Sequence, residues 1–171
     1  IQAALTGHLM LSTIHTNSAA GAIPRFLSMG VKPFLLAPAL NAIIGQRLIR
    51  RVHEACRVPD ELTPEARTRV DTVIAELPED ERKAREGKPM QFTKGKGCDA
   101  CHGTGYYGRI GIYEILTMSK ELEAEILSEK TSEYRMQELA VKQGMVTMVQ
   151  DGILKALDGI TSVDEVFRVS E

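Results

Sequence analysis

The run His8-Leu9-Met10-Leu11-Ser12-Thr13-Ile14, "HLMLSTI", decides how the first third of the chain is read. Seven nearly continuous apolar residues without Pro or Gly have the length and texture of a strand covered on both faces, as in the parallel sheets of α/β proteins. Its flanks fit that reading. Residues 1 to 6 have the composition of a helix end closed by Gly7, and His15-Thr16-Asn17-Ser18 offers N-cap side chains at Thr16, Asn17 and Ser18. A helical pattern then runs to Met29, with Gly30 as its stop and Pro24 expected to kink it or delay its start. A second helix is expected from Pro33 to about Gly45, with Phe34, Leu36, Ala37, Leu40, Ile43 and Ile44 on its buried side and Pro38 as an oddity. Gln46 to Val52 reads as a strand or a helix end.

The composition changes at His53. From Arg57 to Lys96 the chain is strongly charged and punctuated by Pro59, Pro64, Pro78 and Pro89, as an excursion from the core would be. Within it Ala66, Val70, Val73, Ile74 and Leu77 recur at helical spacing behind Thr63 and Pro64, which serve as cap and first helical residue. One amphipathic helix is expected there, with room for a second. Ile110 to Leu116 reads as a strand. The remainder reads as four short helices packed in a small bundle: Ser119 caps a run through Leu127, Ser132 one through Gln143, another spans Thr147 to Leu157, and Ser162, a plain cap, starts the last. The segmentation predicted is 1–52, 53–105 and 106–171.

Bulk properties narrow the function. The 171 residues are 43% hydrophobic and 26% charged, enough for a real core, and a net charge of −2 gives no footprint for nucleic acid or an anionic membrane surface. No apolar run approaches the roughly 20 residues that span a bilayer, and no basic-then-apolar leader opens the chain, so a cytoplasmic protein is expected. The opening at Ile1, in the middle of an apolar pattern, gives the expectation of a fragment of something longer.

Three cysteines are too few for a disulfide framework, and a close pair in a reducing compartment points to metal or redox chemistry. Gly97 to Gly105, "GCDACHGTG", contains Cys-x-x-Cys-His, the attachment signature of a c-type haem, and Cys-x-x-Cys-x-Gly-x-Gly, the half-site of a co-chaperone finger. Haem attachment would need export and a distal ligand, and the finger would need several copies. The third reading is one half of a zinc knuckle. Its second half is His53-Glu54-Ala55-Cys56, "HEAC", with the same two-residue gap, which gives a Cys3His set of His53, Cys56, Cys98 and Cys101 across the 41 residues from 57 to 97. His102 competes as fourth ligand from within a tight turn. A reversible Cys98–Cys101 dithiol is the redox alternative; ordinary loop residues without metal are the bland one.

His8 and His15 bracket the expected strand. In open α/β sheets the carboxyl ends of strands carry the chemistry, which favours His15, and the helix N-terminus expected after Thr16 and Asn17 suits a phosphate. A hydrogen-bonded structural histidine is the competing reading.

Taken in order, "ALTGHLMLSTIHTNSAAGAIPRFLSMGV", "QRLIRR", a cysteine pair on either side of a charged insertion, and "GCDACHGTGYYGRIGIYEIL" closely resemble the C-terminal part of the secretion and pilus motor ATPases, the type II secretion and type IV pilus assembly ATPases. The resemblance covers nearly the whole chain. It implies the end of a RecA-like α/β sheet domain, then a small zinc knuckle subdomain and a helical C-terminal bundle. It further implies a cytoplasmic homohexamer, peripheral to the inner membrane and docked on a platform protein there, that uses ATP and Mg2+ to drive assembly or secretion. His8 and His15 match the two histidines of the family's His box, thought to sense the terminal phosphate, with Thr13, Thr16 and Asn17 beside His15. Arg47, Arg50 and Arg51 fall in a basic segment that could face a nucleotide or a neighbouring subunit, Arg47 being the nucleotide-binding candidate, with solvated arginines as the alternative. In the family the knuckle pairs are Cys-x-x-Cys twice, and His53 departs from that pattern; retraction motors of the superfamily lack the cysteine subdomain. No Gly-x-x-x-x-Gly-Lys-[Ser/Thr] occurs in the 171 residues, so these residues alone are expected neither to hydrolyse ATP nor to bind it tightly. A stand-alone zinc-binding interaction module is the alternative reading.

Overall fold

A computed structural model describes residues 1–87, 89–128 and 130–170. They form a mixed α/β structure of two compact units, each assembled from two separate stretches of chain: 1–45 with 114–145, and 46–113 with 146–171. These limits cut across the segmentation at 52 and 105 expected from the sequence. The four C-terminal helices are shared two and two between the units rather than gathered in one bundle.

The first unit contains α1 (Gln2–Leu5), α2 (Ala22–Ser28), α3 (Pro33–Leu36), a 3-10 turn Ala37–Ala39, α6 (Lys120–Leu127) and α7 (Glu133–Lys142). Its core packs Ile23, Leu36, Leu116, Leu122, Ile126 and Met136 against Ala19, Ala20 and Ala140. Caps fall where the sequence puts them: Ser119 Oγ accepts from the Leu122 amide and Ser132 Oγ from the Arg135 amide. The buried Glu114 carboxylate accepts from the Ala19 amide at 2.5 Å and stands against Gly45, where a Cβ would lie 2.8 Å from the Glu114 Cγ.

Three expectations here are corrected. His8 to Ile14 is extended chain, not a strand, and Leu9 and Leu11 are 83% and 89% exposed. A strand exists only by pairing its amides and carbonyls; among the described residues the ladders join the first strand to the fourth and the second to the third, leaving none for this run. The helix expected from Pro33 to Gly45 ends its α-helical part at Leu36. Pro38 has no amide to donate and its ring crowds the carbonyl of Phe34, so the chain tightens into the 3-10 turn, and the β-branched Ile43 and Ile44 enter a strand instead. Helix α2 starts late, with Gly21 as its N-cap rather than Thr16, Asn17 or Ser18 and with Pro24 as its third residue.

The second unit is organised around four strands and four helices. Strand β1 (Ala42–Val52), which begins in the first unit, pairs with β4 (Tyr106–Thr117). Strands β2 (Arg57–Asp60) and β3 (Phe92–Gly95) are antiparallel, with Arg57 opposite Gly95 and Asp60 opposite Phe92. Helices α4 (Pro64–Ala75), α5 (Glu79–Ala84), α8 (Met148–Leu157) and α9 (Val163–Ser170) complete it. Thr63 and Pro64 cap and open α4 as the sequence implies, yet the charged segment is no excursion: Val70 and Phe92 are buried in the core with Ile49, Ile112, Ile153, Val163 and Val166.

Glu165 is buried at the centre of a charge cluster. Its carboxylate accepts from the Arg50 amide (2.9 Å), the Arg50 guanidinium (2.6 and 3.0 Å) and the Arg168 guanidinium (2.6 and 2.8 Å). Arg50 also lies 4.1 Å over the Tyr106 ring, whose hydroxyl pairs with Ser162. Burial alone would push the Glu165 carboxyl up, but Arg168 and then Arg50 outweigh it and hold its pKa down to about 2. Because this pKa lies below its unfolded value of 4.5, its stabilisation is complete above that value and drains away as pH falls towards 2. Replacing Glu165 by Gln leaves two guanidinium groups without their counter-charge and should cost on the order of 3 kcal/mol. In urea denaturation the gap between wild type and E165Q should be constant at neutral pH and close as pH drops below the ordinary carboxylate range; a gap that stays open in acid would contradict this.

Candidate metal centre

Strand β1 delivers His53. Its last residue, Val52, donates to the Ile160 carbonyl and the His53 amide donates to that of Gly105, both at 2.9 Å. A 3-10 turn, Glu54–Cys56, then folds Cys56 back towards the imidazole. The other half is a second 3-10 turn, Asp99–Cys101, entered from Cys98 and left through His102 in the left-handed region (φ 51°). The Lys96 amide donates to the Cys56 carbonyl at 2.9 Å, and the β2–β3 ladder ties the two halves together just beyond.

Close backbone approach makes glycine necessary at two points. A Cβ on Gly95 would lie 1.9 Å from the Gly105 carbonyl oxygen, and one on Gly105, where φ is +75°, would lie 2.4 Å from that of Gly95. The sequence reading did not single out this pair. Its signal was the density of glycines around the cysteines, at 95, 97, 103 and 105.

The fold brings His53, Cys56, Cys98 and Cys101 together, with all four ligand atoms within 4.8 Å of one another. Cys98 Sγ lies 3.7 Å from Cys101 Sγ, and Cys56 Sγ lies 3.9 Å from Cys101 Sγ. His53 Nδ1 is 3.3 Å from Cys98 Sγ and 3.6 Å from Cys56 Sγ. Zinc bonds of about 2.3 Å to sulfur and 2.0–2.1 Å to nitrogen, arranged tetrahedrally, give edges of roughly 3.8 Å between sulfurs and roughly 3.6 Å from nitrogen to sulfur. The donors thus fit a Zn2+ ion in both identity and spacing. The sulfurs are far beyond the roughly 2.05 Å of a disulfide, and all three thiols are free.

Local hydrogen bonding treats the thiols differently. Cys101 Sγ accepts from the amides of Cys98 and Gly105, each at 3.2 Å. Burial opposes its thiolate, but those two amides, then the Cys98 and Cys56 thiols, prevail and bring its pKa down to about 6. Burial pushes the Cys56 thiol up instead, against a backbone hydrogen bond at Gly97. Cys101 is therefore the thiol most readily presented as an anion to a cation. His102 is exposed and outside the cluster.

The other site residues singled out by the sequence are not gathered in this way. His8 and His15 are exposed on the extended segment of the first unit; His8 Nδ1 is 3.1 Å from Thr6 Oγ1. Thr16 donates to the Ser18 carbonyl, and Asn17 is exposed. In the second unit Arg47 is exposed on β1, Arg51 makes a long contact of 3.9 Å with Glu54, and Arg50 is committed to Glu165.

The family model described as "Type II/IV secretion system protein" matches residues 1–168. A type IV pilus assembly ATPase, PilB, of Thermus thermophilus is 42% identical over 165 residues, 96% of this chain and 17% of its own length. The type II secretion system protein E of Pseudomonas aeruginosa is 40% identical over 99% of this chain, and the type II secretion system ATPase E of Vibrio cholerae 35% identical over all of it. Each of these two is covered over 31% of its length, so the chain spans a third or less of these relatives.

Loss of one ligand from a four-ligand zinc site should weaken retention by on the order of 100-fold, about a quarter of the binding free energy of such sites. We expect His53→Ala to lose zinc to a competing chelator at that scale, Cys98→Ser to retain none, and His102→Ala to match wild type. Gly95→Ala should behave like a ligand variant although it removes no donor, because the knuckle cannot close. Metal content after dialysis against a chelator reads all four; full zinc in His53→Ala would remove it from the ligand set.

Proposed function

The chain belongs to the type II/IV secretion system protein family, and from that premise we propose that its 171 residues are the C-terminal part of a cytoplasmic hexameric ATPase powering type IV pilus assembly or type II protein secretion. The observation that carries this is the match over nearly the whole chain to relatives named as pilus assembly and secretion ATPases. Short coverage of those relatives, together with the lack of a phosphate loop in the 171 residues, supports assigning ATP and Mg2+ binding to other parts of a longer chain. Among the described residues no helix is long and apolar enough to cross a membrane; docking on an inner-membrane platform protein is part of the proposal.

Within that reading, the apolar run His8 to Ile14, with Leu9 and Leu11 exposed, leads into the nucleotide-sensing residues of the motor. His15, at its carboxyl end, reads the terminal phosphate of ATP, with Thr16 and Asn17 beside it and His8 at the run's start. Arg47 on β1 stays the nucleotide-binding candidate and Arg51 lies in the same basic segment, whereas Arg50 is held by the buried Glu165 carboxylate. The Cys3His cluster holds a structural Zn2+ that fixes the ends of the loop between Cys56 and Cys98. Bound zinc supplies folding free energy and no chemistry of the motor.

The 171 residues alone should show no ATP turnover. In the full-length protein His15→Ala should lower kcat about 100-fold, as expected when a donor to developing negative charge is removed, while nucleotide binding persists. Turnover by the 171 residues, or a His15→Ala motor running at the wild-type rate, would overturn the assignment. Confinement of the metal cluster to the second unit, which does not include His15, favours one second reading, a zinc-dependent interaction module. That reading expects metal removal to abolish partner binding and His15→Ala to have no effect.

A further inference from the structure

Two of the three thiols in the cluster share one turn. Cys98 precedes the 3-10 turn and Cys101 ends it, their sulfurs are 3.7 Å apart, and only Asp99 and Ala100 separate them. Their surroundings differ. Cys98 is partly exposed, whereas Cys101 is 3% exposed and fixed by amides of Cys98 and Gly105. Solvent-borne reagents thus meet Cys98 before Cys101. Because both sit on one turn, a bond between them needs no movement of one knuckle half against the other. Cys56 is also partly exposed, but its sulfur is farther from Cys101, at 3.9 Å, and it belongs to the other half.

We propose that Cys98 and Cys101 form a peroxide-sensitive dithiol, whose oxidation to a disulfide ejects the Zn2+ ion. The proposal rests on the zinc reading above. The Cys98 thiolate attacks one oxygen of hydrogen peroxide, giving a sulfenic acid at Cys98 and hydroxide. Cys101 then attacks the Cys98 sulfur; the S–S bond forms, the S–O bond breaks, and the departing hydroxide takes up a proton. In sum, two thiolates, one peroxide and two protons give one disulfide and two waters; the sulfurs supply the two electrons that peroxide accepts. His53 and Cys56 remain as two ligands, too few to keep zinc against a chelator. The β2–β3 ladder and the Lys96–Cys56 hydrogen bond also join the two halves, which lets reduction restore the site.

The test uses the full chain, purified under reduction, loaded with zinc and dialysed. It is then treated with hydrogen peroxide in the presence of a zinc-responsive dye and digested with trypsin after thiol blocking. We expect about one zinc per chain before treatment and its release on treatment. In step with release, the peptide Gly97–Arg109 should appear lighter by two hydrogens and unalkylated, while Val52–Arg57 is recovered with Cys56 alkylated. Thiol reductant with added zinc should reverse both changes. In Cys56→Ser the lighter Gly97–Arg109 peptide should still form. Zinc retained after peroxide overturns the proposal, as does a Cys56-containing disulfide or irreversible oxidation of Cys98 without a bond to Cys101. A chain that takes up no zinc before peroxide refutes the metal reading itself, and the release step with it.

Discussion

One ion-sized space between His53, Cys56, Cys98 and Cys101 obliges two stretches of chain, separated by the 41 residues from 57 to 97, to meet with their donors at tetrahedral spacing. Much of the second unit answers to that constraint. The β2–β3 ladder ties the ends of the intervening segment side by side, and Phe92 anchors it in the hydrophobic core. Gly95 and Gly105 let two backbones touch where any side chain would hold them apart. The His53 amide, bonded to the Gly105 carbonyl, carries this registration back into β1. Zinc affinity is consequently a property of the whole closed loop, and four donors of the right type would not suffice on a looser frame.

The ligand set was legible because its signal is local: two matched gaps, His-x-x-Cys and Cys-x-x-Cys, state which donors can face one ion. The caps were legible for the same reason. Thr63, Ser119 and Ser132 each serve an amide three residues ahead, a relation the sequence displays directly. What failed depended on distant partners. Apolarity from His8 to Ile14 specifies a segment able to enter a sheet, but not the neighbours that would make it a strand. Strands β2 and β3 are four residues each, one containing Pro59, too short for a period-two pattern to stand out. The helix does not reach Gly45 because Pro38, with no amide to donate, ends its α-helical part at Leu36.

The Arg50–Glu165 cluster was equally hidden, since its partners lie 115 residues apart and look like ordinary surface charges in sequence. Its effect is to divide a basic segment by function. Arg50 is spent on internal structure, stacked on Tyr106 and neutralised by a buried carboxylate, while Arg47 on the same strand faces outward.

The way each unit is stitched from two separated stretches sets an order for synthesis. A ribosome delivering these residues releases 1–45 before 114–145, and 46–113 before 146–171, so each unit gains its second stretch only after the other unit's first has emerged. Residues 1–45 reach their final packing only once 114–145 are present, and the apolar face of α2 waits for α6 and α7. The metal donors, by contrast, are all present once Cys101 has emerged. The four donors can therefore meet before either hydrophobic core is complete.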